Sequence, residues 1–144
     1  SACDNDDDYM PPNQDIITAL KQLYPDVQDI EWSQKGVYYV ADCWVNGSEL
    51  DVWFDANANW IMTEMEIFRE QLPAAVNTAY EESGYGDWVI DNLTKLTFPH
   101  KSEEFVFEVQ KGAQERALYY SAYGGLLLEK DITDADDTHW PDVE

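Results

Sequence analysis

The sequence predicts an α+β protein made of two tandem repeats, each a helix followed by antiparallel strands. Together the repeats should form one antiparallel sheet of about seven or eight strands with both helices on one face. Helical stripes of apolar residues begin near Ile16 and again near Val76. After each stripe, apolar and polar residues alternate as they do in half-buried strands. The dipeptides Asn46-Gly47 and Gly124-Gly125 indicate tight turns between strands.

The composition supports one folded domain with a strongly acidic surface. The chain has 144 residues, with 30 Asp and Glu against 8 Lys and Arg, so its formal net charge is −22. Hydrophobic residues make up 44% and aromatic residues 14%, which suffices for a packed core and excludes disorder throughout. No apolar run approaches the roughly 20 residues of a membrane-spanning helix. A surface this negative repels phosphates, so we expect no nucleic-acid partner.

The first repeat, residues 13–68, is predicted to begin with one short amphipathic helix. Asn13 and Asp15 are typical of a helix start, and Pro25 ends the helix directly after Tyr24. Four strand-like runs follow, at residues 30–32, 37–45, 48–54 and 60–67. Asn46-Gly47 joins the middle two, since this dipeptide readily takes the positive φ angles of a type I′ hairpin.

The second repeat, residues 70–130, follows the same order. Leu72-Pro73 opens its helix, and Gly84 and Gly86 end it. Its first strand is either residues 88–90 or the longer run 91–98, and further strands are expected at 105–110, 116–120 and 126–130.

The two repeats align with one another if an insertion is allowed in the second. Ile16 corresponds to Val76 in the helices, and Val52 corresponds to Leu118 in the hairpins. The separation is larger for the hairpins than for the helices, so we expect six inserted residues around 99–104. Repeats this short should share one core.

Both ends of the chain are predicted to lie outside the repeats, as an acidic tether at residues 1–12 and an acidic tail at 131–144. Ser1-Ala2-Cys3 resembles the end of a bacterial lipoprotein signal, and the aspartates after it resemble the export tether of surface lipoproteins in Bacteroides-type bacteria. We therefore expect a cell-envelope protein, periplasmic or surface-exposed, whose lipid is carried by Cys3. For Cys43 a buried free thiol is favoured over a bridge to Cys3.

Several short patterns of aromatic and turn residues resemble the PepSY-like family of secreted proteins from Bacteroides-type bacteria. The resemblance spans about residues 13–130 and consists of Tyr24-Pro25, Glu31-Trp32, Tyr38-Tyr39-Val40, Phe54-Asp55 with 60–64, and Leu72-Pro73. It implies the fold of the β-lactamase inhibitor protein, with a curved antiparallel sheet whose helices cover one face. It also implies a role in restraining peptidases, as is suspected of related PepSY domains, and it supplies no catalytic residue.

One segment matches an EF-hand calcium loop in part. Asp55, Asn57, Asn59 and Glu66 occupy the first, third, fifth and twelfth positions of such a loop. However, Trp60 stands where the loop needs glycine, and strands flank the segment where an EF-hand has helices. An Asx-rich connector is therefore favoured, and weak calcium binding by residues 55–66 is the open alternative.

The sequence contains no recognisable catalytic constellation. His100 is expected in an exposed loop and His139 in the acidic tail, and neither has a Ser or Cys partner or an orienting acid. The chain also lacks a phosphate-binding glycine loop, a cluster of His and Cys ligands, and a cofactor fingerprint. We therefore predict that the protein is not an enzyme and uses no metal or cofactor.

The two-residue turn at Asn46-Gly47 determines which side chains of the first hairpin face each other. One face is apolar and suited to the helices; it pairs Tyr39 with Phe54, Ala41 with Val52 and Cys43 with Leu50. The opposite, helix-free face pairs Asp42 with Asp51, Trp44 with Glu49 and Val40 with Trp53, and includes Tyr38. The alignment of the two hairpins adds Val106, Glu108, Ala117 and Tyr119 from the second repeat.

This helix-free face is the predicted binding surface. Trp44 and Trp53 are expected to anchor a protein partner, while Asp42, Glu49 and Asp51 select positive charge. The alternative structural interpretation is a solvated face, or one covered by the second repeat. We predict a non-catalytic envelope protein that binds another envelope protein, as an inhibitor or regulator of a peptidase or another enzyme. The alternative function is a module that binds glycans or small ligands through surface aromatics.

Overall fold

The structure, a computed structural model, describes residues 11–134. Most of the predicted tether, with Cys3, and the segment 135–144, with His139, lie outside the described residues. Eight strands form one antiparallel sheet in which strands adjacent along the chain are neighbours in the sheet. Together with two α-helices, this confirms the predicted α+β class. Neither of the helices described is long and apolar enough to cross a membrane.

The elements follow one another in a simple order. Helix α1 (Gln14–Leu23) precedes four strands, and helix α2 (Ala74–Glu81) precedes another four. The first four strands are β1 (Gln28–Lys35), β2 (Tyr38–Val45), β3 (Ser48–Phe54) and β4 (Trp60–Glu66). The last four are β5 (Val89–Thr97), β6 (Glu104–Lys111), β7 (Gln114–Ser121) and β8 (Leu126–Asp131). The chain divides into two compact units at residues 63 and 64, here named unit 1 and unit 2. The tandem repeat and its shared core stay predictions.

Unit 1 begins with a helix whose ends are set by its sequence. The Asn13 side chain accepts a hydrogen bond from the Ile16 backbone N–H at 3.0 Å, which satisfies one of the N–H groups left open at a helix start. Ile16 and Leu20 are completely buried. The Tyr24 hydroxyl, just past the helix, lies 2.9 Å from the Thr63 hydroxyl at the end of the unit.

The turn between β2 and β3 has the geometry that the sequence predicts. Asn46 and Gly47 both have positive φ angles, of 52° and 85°, as a type I′ turn requires. Val45 therefore pairs with Ser48, and the whole β2–β3 register is the predicted one. Strand β1 is longer than expected because a bulge at Asp29, with φ of 56°, lets pairing continue to Gln28.

Unit 2 has an aromatic core beneath its helix. Phe107 stacks on Tyr80 of α2, with ring centroids 4.3 Å apart, and meets the edge of Tyr120 at 5.6 Å. Val76 and Leu118 belong to the same buried cluster, so α2 packs on this face of the sheet. The first strand of the unit is the longer of the two alternatives, since β5 runs through Val89–Thr97.

The connection between the first two strands is longer in unit 2 than in unit 1. Residues 36–37 join β1 to β2, whereas residues 98–103 join β5 to β6, where the insertion was expected.

The predicted start of the tail at Asp131 is wrong. Asp131 ends β8, Ile132 is buried, and the Ile132 N–H donates to the Glu115 carbonyl at 3.0 Å. Burial of the Ile132 side chain and its backbone hydrogen bond to Glu115 hold this part of the chain against the sheet.

Candidate functional site

The candidate site lies on β1, β2 and β3 of unit 1, on the face opposite Ala41, Cys43 and Val52. Those three side chains are completely buried, as expected of the face that packs in the core. On the other face, Asp42 pairs directly with Asp51, and Trp44 pairs with Glu49. The predicted cross-strand neighbours are therefore confirmed, and the alternation along each strand places them on one surface.

Strand β1 adds a carboxylate that the sequence analysis did not assign to this face. Glu31 pairs with Asp42, so Glu31, Asp42 and Asp51 form a row of three acidic residues across three adjacent strands. The register of β1 follows from the two-residue connection at residues 36–37, where Gly36 has φ of 62°. A two-residue connection determines which residues of the two strands pair, so the sequence of this connection is sufficient to predict that Glu31 pairs with Asp42. We name Glu31, Asp42, Trp44, Glu49 and Asp51 the acidic patch.

Asp42 affects the neighbouring carboxylate of Asp51. Burial raises the pKa of Asp51 above its usual value, and the nearby charge of Asp42 raises it further, against a smaller opposite effect of Lys35. Lys35 stands on the same face, because it pairs with Tyr38 two positions along the strand from Val40. The ionised form of Asp51 therefore carries an electrostatic cost that folding has to offset.

The two tryptophans predicted as anchors have different environments. Trp44 exposes 42% of its surface, whereas Trp53 exposes only 2%. The expectation of an exposed Trp53 is wrong: the Tyr38 ring meets it edge-on at 5.8 Å between centroids, and neighbouring side chains bury the rest. Val40, which pairs with Trp53, is buried as well. Trp44 is therefore the only indole of the acidic patch, and Trp53 supports the sheet beneath it.

A shallow depression of about 540 Å³ opens on this surface. Its walls carry four carboxylates and one indole, and the β1 bulge supplies two of its residues. It is lined by Asp29, Ile30, Glu31, Asp42, Trp44 and Glu49. The depression can receive a positively charged side chain with one flat side against the indole.

The equivalent face of unit 2 has the predicted pairs but a different character. Val106 pairs with Tyr119, and Glu108 pairs with Ala117. Val106, Ala117 and Tyr119 are buried, and Lys130 lies over the Tyr119 ring at 5.9 Å. Of the predicted residues in this unit, only Glu108 is partly exposed. The binding role of these positions stays a prediction.

The loop after β3 is an Asx turn. The Asp55 carboxylate accepts hydrogen bonds from the backbone N–H groups of Asn57 at 2.8 Å and Asn59 at 2.9 Å, and from the Asn59 side-chain amide at 3.0 Å. Slight burial raises the pKa of Asp55, but these hydrogen bonds outweigh it and hold the pKa below its usual value. The favoured connector is thus confirmed, and both Asp55 oxygens are engaged within the loop.

The remaining reactive groups are not members of the acidic patch. His100 is exposed in the connection before β6, as predicted. Cys43 is a free, completely buried thiol, and burial followed by the charges of Asp42, Asp51 and Glu49 raises its pKa to about 11. It is therefore a poor nucleophile at neutral pH. Within residues 11–134, no group of three or more His, Cys, Asp or Glu side chains is arranged to hold a metal ion.

Comparison with known proteins identifies the family. The family described as "Putative beta-lactamase-inhibitor-like, PepSY-like" matches residues 37–128. A BLIP-like protein from Bacteroides fragilis is 55% identical and has a TM-score of 0.88, with 97% of this chain and 100% of that chain covered. A "putative periplasmic" protein from Bacteroides eggerthii is 32% identical, with a TM-score of 0.83 and coverage of 90% and 95%.

A DUF2874 family protein from Bacteroides ovatus is 29% identical and has a TM-score of 0.86, with 92% of this chain and 96% of that chain covered. A comparison with curated proteins found no match. The family match covers most of the chain, and the Bacteroides fragilis protein aligns over nearly all of it. The chain belongs to the PepSY-like family of β-lactamase-inhibitor-like proteins.

Proposed function

We propose that the protein is a non-catalytic binding protein of the cell envelope that holds a protein partner on the acidic patch. The observation that carries this proposal is the row of Glu31, Asp42 and Asp51 beside the exposed indole of Trp44. The similarity to a BLIP-like protein supports protein binding as the general role.

The row of carboxylates is unfavourable for the isolated sheet. Like charges placed directly opposite each other on paired strands weaken the pairing, and two such pairs share Asp42. Burial of Asp51 adds to this penalty. The arrangement does not serve stability, because a neutral side chain at position 42 would remove both repulsions. A positively charged partner relieves them on binding, which explains why the row favours a binding function.

The chemistry of the partner follows from the depression. Its carboxylates attract Lys or Arg, and the exposed face of Trp44 attracts a cation by its ring quadrupole. We therefore propose a partner that inserts a basic side chain from a loop. Exposed charges are screened by salt, so the association rate should fall as the ionic strength rises.

Inhibition or regulation of an envelope peptidase is the specific activity that we propose for this binding. The proposal extends the β-lactamase-inhibitor-like character of the family to this chain. A basic loop near the peptidase active site would fit the depression, and the sheet would then block access to that site.

Glycan binding is the less favoured alternative. Glycan platforms are flat exposed aromatic rings, and the burial of Trp53 leaves Trp44 as the only ring of this kind in the acidic patch. The surrounding carboxylates also favour a cation over a neutral sugar. Retention on immobilised polysaccharide that is lost in Trp44→Ala would support this alternative.

The test is affinity capture with the immobilised chain from envelope extract of a Bacteroides species, followed by calorimetry on the purified captured protein. Trp44→Ala and Asp42→Asn should each weaken binding about tenfold or more. Phe68→Ala and Asp26→Asn are matched controls, since both residues are exposed and outside the patch.

A peptidase assay on the captured protein, with and without the chain, then tests inhibition. Equal affinities for the patch variants and their controls would exclude the acidic patch as the site. A captured protein whose affinity is unchanged between low and high salt would contradict the electrostatic part of the proposal.

We also propose that the protein is a lipoprotein attached through Cys3. The description of a relative as periplasmic supports an envelope location. Labelling of the full precursor with a radioactive fatty acid should give a labelled protein in the native host, and Cys3→Ala should abolish the label. A labelled Cys3→Ala variant would contradict attachment at this residue.

A further inference from the structure

The first half of β8, the last strand of the sheet, is apolar, whereas edge strands usually carry charges. Leu126, Leu127 and Leu128 expose 52%, 53% and 39% of their surfaces, and Tyr123 in the preceding turn is almost fully exposed. Among residues 11–134, β7 is the only strand that pairs with β8. The outer side of β8 therefore presents backbone donors and acceptors beside three exposed leucines.

The opposite edge of the sheet, β1, has the features that normally prevent strand addition. Its bulge at Asp29 interrupts regular pairing, and Glu31, Ser33 and Lys35 give it a polar, charged surface. Strand β8 also has a register shift, which leaves Leu127 without a paired residue on β7. From Leu128 to Asp131, however, its pairing is regular. The charged residues of β8, Glu129, Lys130 and Asp131, follow its leucines, whereas those of β1 are spread from Asp29 to Lys35.

Strand β8 is held in place before any partner arrives. The Ser121 N–H donates to the Gly125 carbonyl at 2.8 Å at its start, and the Tyr85 hydroxyl donates to the Glu129 carboxylate in its middle. At its end, Arg116 lies 3.3 Å from the Asp131 carboxylate. Because β8 is already fixed at three points, binding of a partner costs little free energy for ordering this strand.

We propose that β8 binds an extended segment of a basic partner protein by strand addition. Backbone hydrogen bonds would supply affinity, and apolar side chains of the partner would pack against the exposed leucines. Charge decides between this occupant and a second copy of the chain. A second copy would bring another −22 charges to the edge, whereas a basic segment is attracted by the net negative charge of the chain.

This surface is independent of the acidic patch, because it lies on another strand and in unit 2. The test is a display library of random peptides about twelve residues long, selected against the immobilised chain and measured by calorimetry. We expect enriched peptides that alternate apolar residues and carry Lys or Arg. Leu127→Lys should lower their affinity about tenfold, because it removes apolar surface and repels the basic peptide.

Val89→Lys is the matched control. Val89 is 59% exposed, lies in β5 of the same unit, and undergoes the same change of charge. The Val89→Lys variant should therefore bind the selected peptides with the affinity of the wild type. Methylation of alternate backbone nitrogens in the peptide should weaken binding when the methylated side faces β8 and leave it unchanged when the other side is methylated. Thermal melting verifies the fold, and Leu127→Thr replaces Leu127→Lys if the latter does not fold.

Three results would overturn the proposal. The first is a library without enriched peptides of this kind. The second is binding that is insensitive to both Leu127 variants or is lost in Trp44→Ala, which would assign the peptides to another surface. The third is a dimer in sedimentation experiments that Leu127→Lys dissociates, since a second copy would then occupy β8. A failed capture experiment on the acidic patch leaves this test unaffected.

Discussion

On the face opposite Ala41, β2–β3 sets Asp42 across from Asp51, whereas on the face opposite Phe107, β6–β7 sets Glu108 across from Ala117 at the corresponding positions of unit 2. The pairing is the same in the two hairpins, but unit 2 has one carboxylate where unit 1 has two. The comparison teaches that backbone register decides which side chains meet, while their charge decides whether the surface can serve a partner.

The cores of the two units differ in their aromatic content. Phe107 fills the centre of unit 2 between two tyrosines, while the equivalent position of unit 1 is Ala41, which is also completely buried. On the Ala41 face of unit 1, Trp32 and Phe54 form a tilted ring pair whose centroids lie 6.2 Å apart. Unit 2 thus has more of its aromatic surface in the core, and we expect it to be the more sensitive unit to truncation of a core side chain.

The largest expected effect tests this difference and the predicted shared core together. Phe107→Ala removes a fully buried ring from contact with Tyr80 and Tyr120 and should lower the free energy of unfolding by about 3–5 kcal/mol. Urea titrations followed by circular dichroism and tryptophan fluorescence measure the loss. If the units share one core, Trp53 and Trp60 of unit 1 should report the same lowered midpoint.

Phe107→Leu is the control for this variant, since it retains most of the apolar volume and should lose less stability. Separate transitions for the two units, with only unit 2 destabilised, would contradict a shared core. A loss below about 1 kcal/mol would contradict the importance of the aromatic stack.

The second prediction compares a glycine in each unit. Gly124 has φ of 88°, and a Cβ placed on it would lie 2.7 Å from the Ala75 carbonyl oxygen at the start of α2. Gly47 has almost the same φ, 85°, with nothing within 4 Å. Gly47→Ala should therefore lower the free energy of unfolding by about 1–2 kcal/mol, because alanine is strained in the left-handed backbone conformation. Gly124→Ala should lose at least about 1 kcal/mol more, because the backbone must also move. Equal melting temperatures of the two variants would contradict this close approach.

Much of unit 1 could be predicted because its turns are short and chemically distinctive. Asn46-Gly47 is sufficient to predict the pairing of Asp42 with Asp51, since a two-residue turn leaves no freedom of register. The connection at residues 36–37 obeys the same rule and pairs Glu31 with Asp42, a pair that was not among the predictions. The bulge at Asp29 has no comparable sequence signal, because aspartate adopts positive φ only where the surrounding structure favours it.

Burial of individual side chains was harder to predict than pairing. Alternation assigns Trp53 and Tyr119 to a face, but it does not reveal what covers that face. Trp53 is buried partly because Tyr38, on the neighbouring strand, meets it edge-on. Such tertiary contacts depend on curvature and side-chain rotamers, which a pattern of apolar residues does not encode.

A smaller effect is expected from the two helix starts. The Asn13 side chain caps α1, whereas α2 begins after Pro73 with no side-chain cap. Asn13→Ala should therefore lower the free energy of unfolding by about 1 kcal/mol. Gln14→Ala, a neighbouring exposed position, is the control and should change it by less than about 0.5 kcal/mol. Equal losses for the two variants in urea titrations would show that the cap does not contribute.

The smallest effect concerns the acidic row and has the opposite sign. Asp51→Asn removes the repulsion from Asp42 and the penalty of burying a charge, so it should stabilise the protein at neutral pH by about 0.2–1 kcal/mol. The folded-state pKa of Asp51 is raised, so protonation favours the folded state. That contribution is complete below the unfolded pKa and is lost as the pH rises through the folded pKa.

The stabilisation by Asp51→Asn should therefore be largest near pH 7 and shrink as the pH falls toward the usual value of 3.8, where the wild type becomes protonated. Thermal melting across this pH range measures the difference. Asp26→Asn, an exposed change in unit 1 outside the row, is the control and should show no such trend. In unit 2 the equivalent position is already the neutral Ala117, which pairs with Glu108. A difference that stays constant with pH, or a destabilised Asp51→Asn variant, would show that the carboxylate row is not under strain. The argument that it is retained for a partner would then lose its physical basis.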